Sequence, residues 1–227
     1  MASVAVTRGV LGATSVVAAA SVIAQYPLSL AEGERGFVYE TLEYFSYFTI
    51  VSNIVVALST GLFAANLGRR EHWAGALRIA GLVMITITGV VYHALLAADN
   101  DATGLGAVTD AGLHTVVPLM TVIGWLFVGP HRRFGAHILA RAMIIPIGWL
   151  VYALVRDAIT GVPLYPFMDV AELGWGQVAT TLVAIALFAT ALGFLVLAGD
   201  RWLPHSPLDL ATSEEEEAPP TGASQAP

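Results

Sequence analysis

Residues 44–56 read Tyr-Phe-Ser-Tyr-Phe-Thr-Ile-Val-Ser-Asn-Ile-Val-Val. The stretch is apolar enough to cross a bilayer, yet Ser46, Thr49, Ser52 and Asn53 interrupt it. Residues three, four and seven apart share one face of a helix, so the four form a single polar stripe on a lipid-compatible rod. Hydroxyls and an amide at membrane depth need partners, and the stripe therefore faces other helices or a pocket.

The rest of the chain agrees with a membrane setting. Of 227 residues, 56% are hydrophobic and 12% charged, and the mean hydropathy is +0.73. These values lie outside the soluble globular range. There is no cysteine, which excludes disulfides, thiolate catalysis and cysteine-ligated metal. All ten basic residues are arginine, so no lysine is available for a Schiff base. The net charge of −7 owes much to one tail and gives no support to nucleic-acid binding. No metal or cofactor is expected from the leading reading.

Six apolar stretches approach the roughly 20 residues that a spanning helix needs. They run Val10–Leu30, Tyr44–Ala65, Ile79–Ala98, Gly112–Val128, Ile138–Val155 and Gln177–Ala198. Arg141 lies inside the fifth, near an end from which it can snorkel to the headgroups. Pro118 and Pro146 lie within spans, where a kink is tolerated if neighbouring helices satisfy the freed groups. The reading is all-α: a six-helix transmembrane domain over residues 1–199 and a disordered acidic tail over 200–227. Arg8, Arg69, Arg70, Arg78, Arg132, Arg133, Arg141 and Arg201 fall on one side of this arrangement, and only Arg35 and Arg156 on the other. The positive-inside rule then places both termini in the cytoplasm of a multi-pass protein of the cell membrane. Arg8 ahead of an Ala- and Val-rich run resembles a signal peptide, but the run is too long for one. Thr14, Ser21 and Gln25 also share a face suited to packing, so a retained span is expected.

With that orientation, polar residues of all six spans fall in one outer layer: Gln25, Thr49, Tyr92 and His93, Asp110, His114 and Thr115, Tyr152, Arg156 and Asp157, then Gln177, Thr180 and Thr181. The inner halves read as more uniformly apolar. A shared layer suggests one outward-facing pocket. Each residue also has a plain structural role open to it: threonines bonding their own backbone, Asp110 capping the fourth helix, Arg156 and Asp157 anchoring at the interface. "GLGAVTDAG", residues 104–112, reads as a loop, too degenerate for a nucleotide site.

His114 stands out within the layer. Asp110 lies four residues earlier on the same face, and Pro118 removes the amide that would bond the carbonyl of residue 114. A neutral imidazole in a partly dry pocket can act as a general base. Thr49 lies at compatible depth, and Thr–His–Asp would supply a hydroxyl nucleophile, a base and an orienting group.

At these residues the chain resembles a known family. "YFTIVSN" on the second span, "GLHTVVPLM" on the fourth and "LVRDAITGVPLYPFMDV" after the fifth are similar to bacterial six-span proteins grouped with the androgen-induced protein family. The likeness covers about residues 8 to 199. It implies integral-membrane threonine hydrolysis of fatty acid esters of hydroxy fatty acids, with Thr49 and His114 as the essential pair. Asp110 comes from helix spacing and not from the family.

The expected substrate is a membrane lipid or lipid-like ester. Substrate contacts are expected from Ser52, Asn53, His93, Tyr152, Arg156 and Tyr165, with Asn53 donating to an oxyanion. The loop with Pro163 and Pro166 reads either as an aromatic belt or as a lid over the pocket. Two other readings of the cluster stay open: a small-solute or lipid transporter, and His93 with His114 as axial ligands of a b-type haem.

Overall fold

The computed structural model of the protein describes residues 4–67, 71–129, 131–132 and 135–204; the acidic run Glu214–Glu217 lies outside them. The apolar runs fold as helices because a backbone in hydrocarbon must satisfy its own hydrogen bonds. In chain order these are α1 (Val4–Glu32), α2 (Phe37–Ser46), α3 (Phe48–Ala65), α4 (His72–Val91), α5 (Gly104–Ala111), α6 (Val117–Val128), α7 (Ala136–Ala142), α8 (Ile144–Thr160) and α9 (Val170–Trp202). The described residues contain no strand.

Six segments are long and apolar enough to cross a membrane: Val4–Glu32, Phe48–Ala65, His72–Leu96, Gly104–Val128, Ala136–Thr160 and Val170–Trp202. Their ends define two poles. One holds Val4, Ala65, His72, Val128, Ala136 and Trp202, and we call it basal. The opposite pole is apical. α4 is the central helix, buried at most positions from Ala74 to Gly89. Val55, Trp125, Ile138, Ala142 and Val196 from four other helices close around its Ile79, Val83 and Ile87. α1 lies along α3 and also meets α6, and its Ser15 hydroxyl donates to the Ala57 carbonyl of α3 at 2.7 Å.

Several boundaries differ from the sequence reading. The second span is not continuous from Tyr44. The chain breaks at Tyr47 (φ −63°, ψ 132°), and α2 leaves as a separate helix with Phe37, Val38, Leu42 and Phe45 exposed. Ser46 therefore drops out of the stripe. No Pro or Gly marks this break. It is held from outside, where Trp149 Nε1 donates to the Ser46 carbonyl at 2.8 Å and the Ser46 hydroxyl meets the Tyr152 hydroxyl at 2.6 Å.

Residues 104–111 are helix and not loop, so Asp110 lies inside the fourth span and caps nothing. Its neighbour Thr109 is held there by a hydrogen bond to Gln25 of α1. The third span begins at His72, which takes Arg78 off the basal surface and into the core, 1% exposed. The fifth span breaks at Met143, where Pro146 cannot donate to the carbonyl of residue 142. Arg141, at the end of α7, is exposed. In the sixth, Gly174 adopts φ 75°, a conformation that favours glycine, and kinks α9 before its long apolar run.

Candidate active site

Two short π-helical turns carry the site. Tyr92–Leu96 continues α4, and Gly112–Val116 joins α5 to α6. π-turns are uncommon and gather at functional positions. The second follows from Pro118, which offers no amide to the carbonyl of residue 114. That carbonyl and the proline ring pack onto Gly89. A Cβ at position 89 would lie 3.1 Å from Pro118 Cβ and 3.3 Å from the His114 carbonyl oxygen, so the closeness of α4 and the π-turn favours glycine, and any side chain there would push the turn outward by a few tenths of an ångström.

The consequence is a connected polar chain. Thr49 Oγ1, in the first turn of α3, is 3.2 Å from His114 Nε2. His114 Nδ1 is 2.9 Å from Asp110 Oδ1. With a carboxylate as acceptor at Nδ1, that nitrogen carries the proton, which leaves Nε2 as the acceptor for the Thr49 hydroxyl. Tyr92 donates to Asp110 Oδ2 at 2.7 Å and accepts from Asn100 Nδ2 at 2.6 Å. Its ring stacks on the His114 ring, 3.9 Å between centroids and 8° from parallel. The imidazole is thus held by its edge and by its face.

Tyr165 closes the other side of Thr49. Its phenol oxygen accepts the Phe48 N–H at 2.9 Å, satisfying one of the free amides at the start of α3. It also interacts with the Thr49 side chain, while burial pushes the phenol up to about 12. The loop that carries it is folded down: Leu164, Tyr165 and Met168 are buried against Ala153, with Tyr47, Phe48 and Trp149 packed around them. Asp169 then starts α9 by accepting from Ala171 N and Glu172 N.

Thr49 and Tyr165 lie at the wall of a cavity of about 290 Å³. Its remaining lining is almost wholly apolar, including Ile87, Val91, Met143, Leu182, Ile185 and Ala189. On α9 the lining runs from Leu182 to Thr190, roughly 12 Å at 1.5 Å per residue. A polar, reactive end and a long greasy body suit a molecule with an apolar chain and one polar junction.

Of the residues expected at the site, Thr49, His114, Asp110 and Tyr165 come together. Ser52 and Asn53 lie behind Thr49, fully buried, and neither lines the cavity. Ser52 meets the Thr88 hydroxyl of α4 at 2.8 Å. Asn53 Nδ2 donates to the carbonyls of Thr49 and Leu113, so its hydrogens are already engaged and the expected oxyanion contact is not available to it. His93 is exposed and meets Thr115 at 3.1 Å. Because both His114 nitrogens have partners and Tyr92 covers one face of the ring, the pair is not set to ligate a haem iron.

Tyr152 and Arg156 line a shallow groove on the outer face of α8 instead of the cavity. Arg156 joins Glu43 at 3.2 Å and Asp157 at 3.1 Å, clamping α2 to the apical end of α8. Gln177 and Thr180 face outward, and Thr180 bonds the Gly176 carbonyl of its own helix. The sequence reading undervalues Tyr92, Asn100 and Thr88. Tyr92 follows Thr88 by four residues on the face of α4 that meets Ser52 and the His114 ring, whereas His93, one residue on, is exposed. The chain matches no protein-family model, no curated protein and no solved structure.

Proposed function

We propose that the protein is an intramembrane hydrolase of lipid-like carboxylic esters, with Thr49 as nucleophile, His114 as base and Asp110 as the group that orients it. The observation that carries the reading is the continuous Thr49–His114–Asp110 contact at the wall of an apolar cavity. The family resemblance of the threonine and histidine motifs supplies the ester chemistry.

In the first half-reaction His114 Nε2 takes the Thr49 proton as Oγ1 bonds the ester carbonyl carbon. The carbonyl π-electrons move to oxygen. Tyr165, whose oxygen accepts from the Phe48 N–H and whose phenol already meets the Thr49 side chain, donates to that oxyanion beside the positive end of the α3 dipole. Collapse breaks the bond to the alkoxy oxygen, which leaves as an alcohol with the proton from His114. Water then attacks the threonyl ester, His114 again taking and returning a proton, and a carboxylic acid and free Thr49 result. The acyl chain occupies the cavity between α4, α8 and α9.

The orientation proposed from the arginines sets both termini in the cytoplasm and opens the apical site to the outer side of the cell membrane. A substrate dissolved in the outer leaflet then enters sideways, without an aqueous tunnel.

The test is labelling with a fluorophosphonate, followed by mapping of the modified peptide and assay on a series of fatty acyl esters. Labelling is expected at Thr49. Thr49→Val keeps the branched shape but not the hydroxyl and should lose both labelling and cleavage, while Thr60→Ala, deeper on the same helix, should lose neither. Wild-type turnover in Thr49→Val would sink the hydrolase reading and favour transport through the same cavity.

A further inference from the structure

The basal half of the bundle contains an unbalanced set of hydrogen-bond donors. Arg78, 1% exposed on the central helix, has Nε and Nη1 buried with no partner. Trp125 Nε1, Thr7 Oγ1 and Thr121 Oγ1 are likewise buried and unpartnered. At 1.5 Å per residue, Thr7 and Trp125 lie about 5 Å from the basal ends of their helices, Arg78 about 9 Å and Thr121 about 10 Å. The four thus fall in one basal layer on α1, α4 and α6, and α6 touches both of the others. A guanidinium and an indole can only donate, and hydroxyls can do so too. Of the described acids at this end, Glu71 and Asp200 each have a partner.

A buried cation without a counter-charge is costly, and arginine does not escape by losing its proton. An arginine on a helix leans toward the helix N-terminus, here the basal pole and the headgroup level. Its planar fork matches the oxygens of a phosphate. We infer that Arg78 is the centre of a binding site for a phosphate oxyanion, supplied by the headgroup of an anionic phospholipid in the basal leaflet, with Trp125, Thr7 and Thr121 as further donors. The site is separate from the Thr49 cavity, whose lining does not include these residues. It makes the stability of the bundle depend on the lipid around it.

The experiment uses the full chain in nanodiscs of phosphatidylcholine, with or without phosphatidylglycerol, and a third set in neutral lipid with inorganic phosphate. Thermal unfolding and native mass spectrometry are the readouts. Phosphatidylglycerol should raise Tm by several degrees and remain bound as a retained lipid. Both effects should vanish in Arg78→Met and weaken in Trp125→Phe, which keeps an aromatic ring but not the N–H. A similar rise with inorganic phosphate alone, also lost in Arg78→Met, would support the site with a free anion as its occupant. An equal shift in Arg78→Met, or none with either anion, would overturn the proposal. So would a Tm that responds only to changing Glu214–Glu217 to Gln, which would make the tail the partner.

Discussion

Tyr165 and Tyr92 each give a phenol to the site, in different ways. Tyr165 lies in the loop outside the spans and faces the bond-making hydroxyl, so Tyr165→Phe removes the oxyanion donor. A loss of about 10²–10³ in kcat is expected, the usual scale for one such donor, with KM little changed. Tyr92 acts through Asp110 and the imidazole face. Tyr92→Phe keeps the stack and loses the hydrogen bonds to Asp110 and Asn100, of which the one to Asp110, about 1 kcal/mol, reaches the imidazole; a roughly fivefold fall in rate is expected. The pH profile reads the Tyr165 donor. Burial raises the Tyr165 phenol to about 12, so it keeps its proton past the ordinary tyrosine value of about 10. No loss of the Tyr165 donor is expected up to about pH 10. A fall in turnover before that pH that is absent from Tyr165→Phe would mean that the phenol loses its proton early and is not held as a donor over this range.

The π-turns set the relation of α4 to α6, and Gly89 is where they meet. Gly89→Ala puts a Cβ against the Pro118 ring and the His114 carbonyl, neither of which can swing aside as a flexible side chain would. The expected cost is about 1–3 kcal/mol of stability, typical of overpacking, with a fall in turnover as the imidazole is pushed from Thr49. Pro118→Ala acts in the opposite sense. It returns an amide to the carbonyl of residue 114, lets the turn revert to α-helix and rotates His114 away. Activity should fall while Tm holds or rises, a combination that simple loss of packing would not give. Comparing the two variants by Tm and by ester cleavage separates position from stability.

The cavity and the orientation belong to the molecule as a whole. Four helices, α3, α4, α8 and α9, meet at the cavity, and Ala186 lines it on α9. Ala186→Phe should shift the preference in an ester series to shorter acyl chains and leave fluorophosphonate labelling of Thr49 intact. An unchanged chain-length profile would remove the acyl group from this space. Orientation is read by single cysteines in a chain that has none of its own. At Ser29, Ala102 and Gly161 they should react with an impermeant maleimide on intact cells, and at Ser213 they should not. Labelling at Ser213 alone would turn the molecule over and put the site on the cytoplasmic side.

Hydropathy fixes which segments are helices long and apolar enough to span, because a bilayer permits little else, and the local pattern Asp110–His114–Pro118 carries its own geometry within one helix. Both were legible in the sequence. The break at Tyr47 was not, since nothing local demands it; Trp149 and Tyr165, more than a hundred residues away, satisfy the groups it frees. The same holds for Arg78, which sequence counts as a surface charge and the packing of α4 buries. Which of Tyr92 and His93 faces the imidazole was decided by the packing of α4 against the turn that carries His114, a contact between distant residues. Local spacing thus determines what one helix presents along its own axis. Rotation, breaks and partners across helices come from contacts between distant residues, and only the tertiary structure settles those.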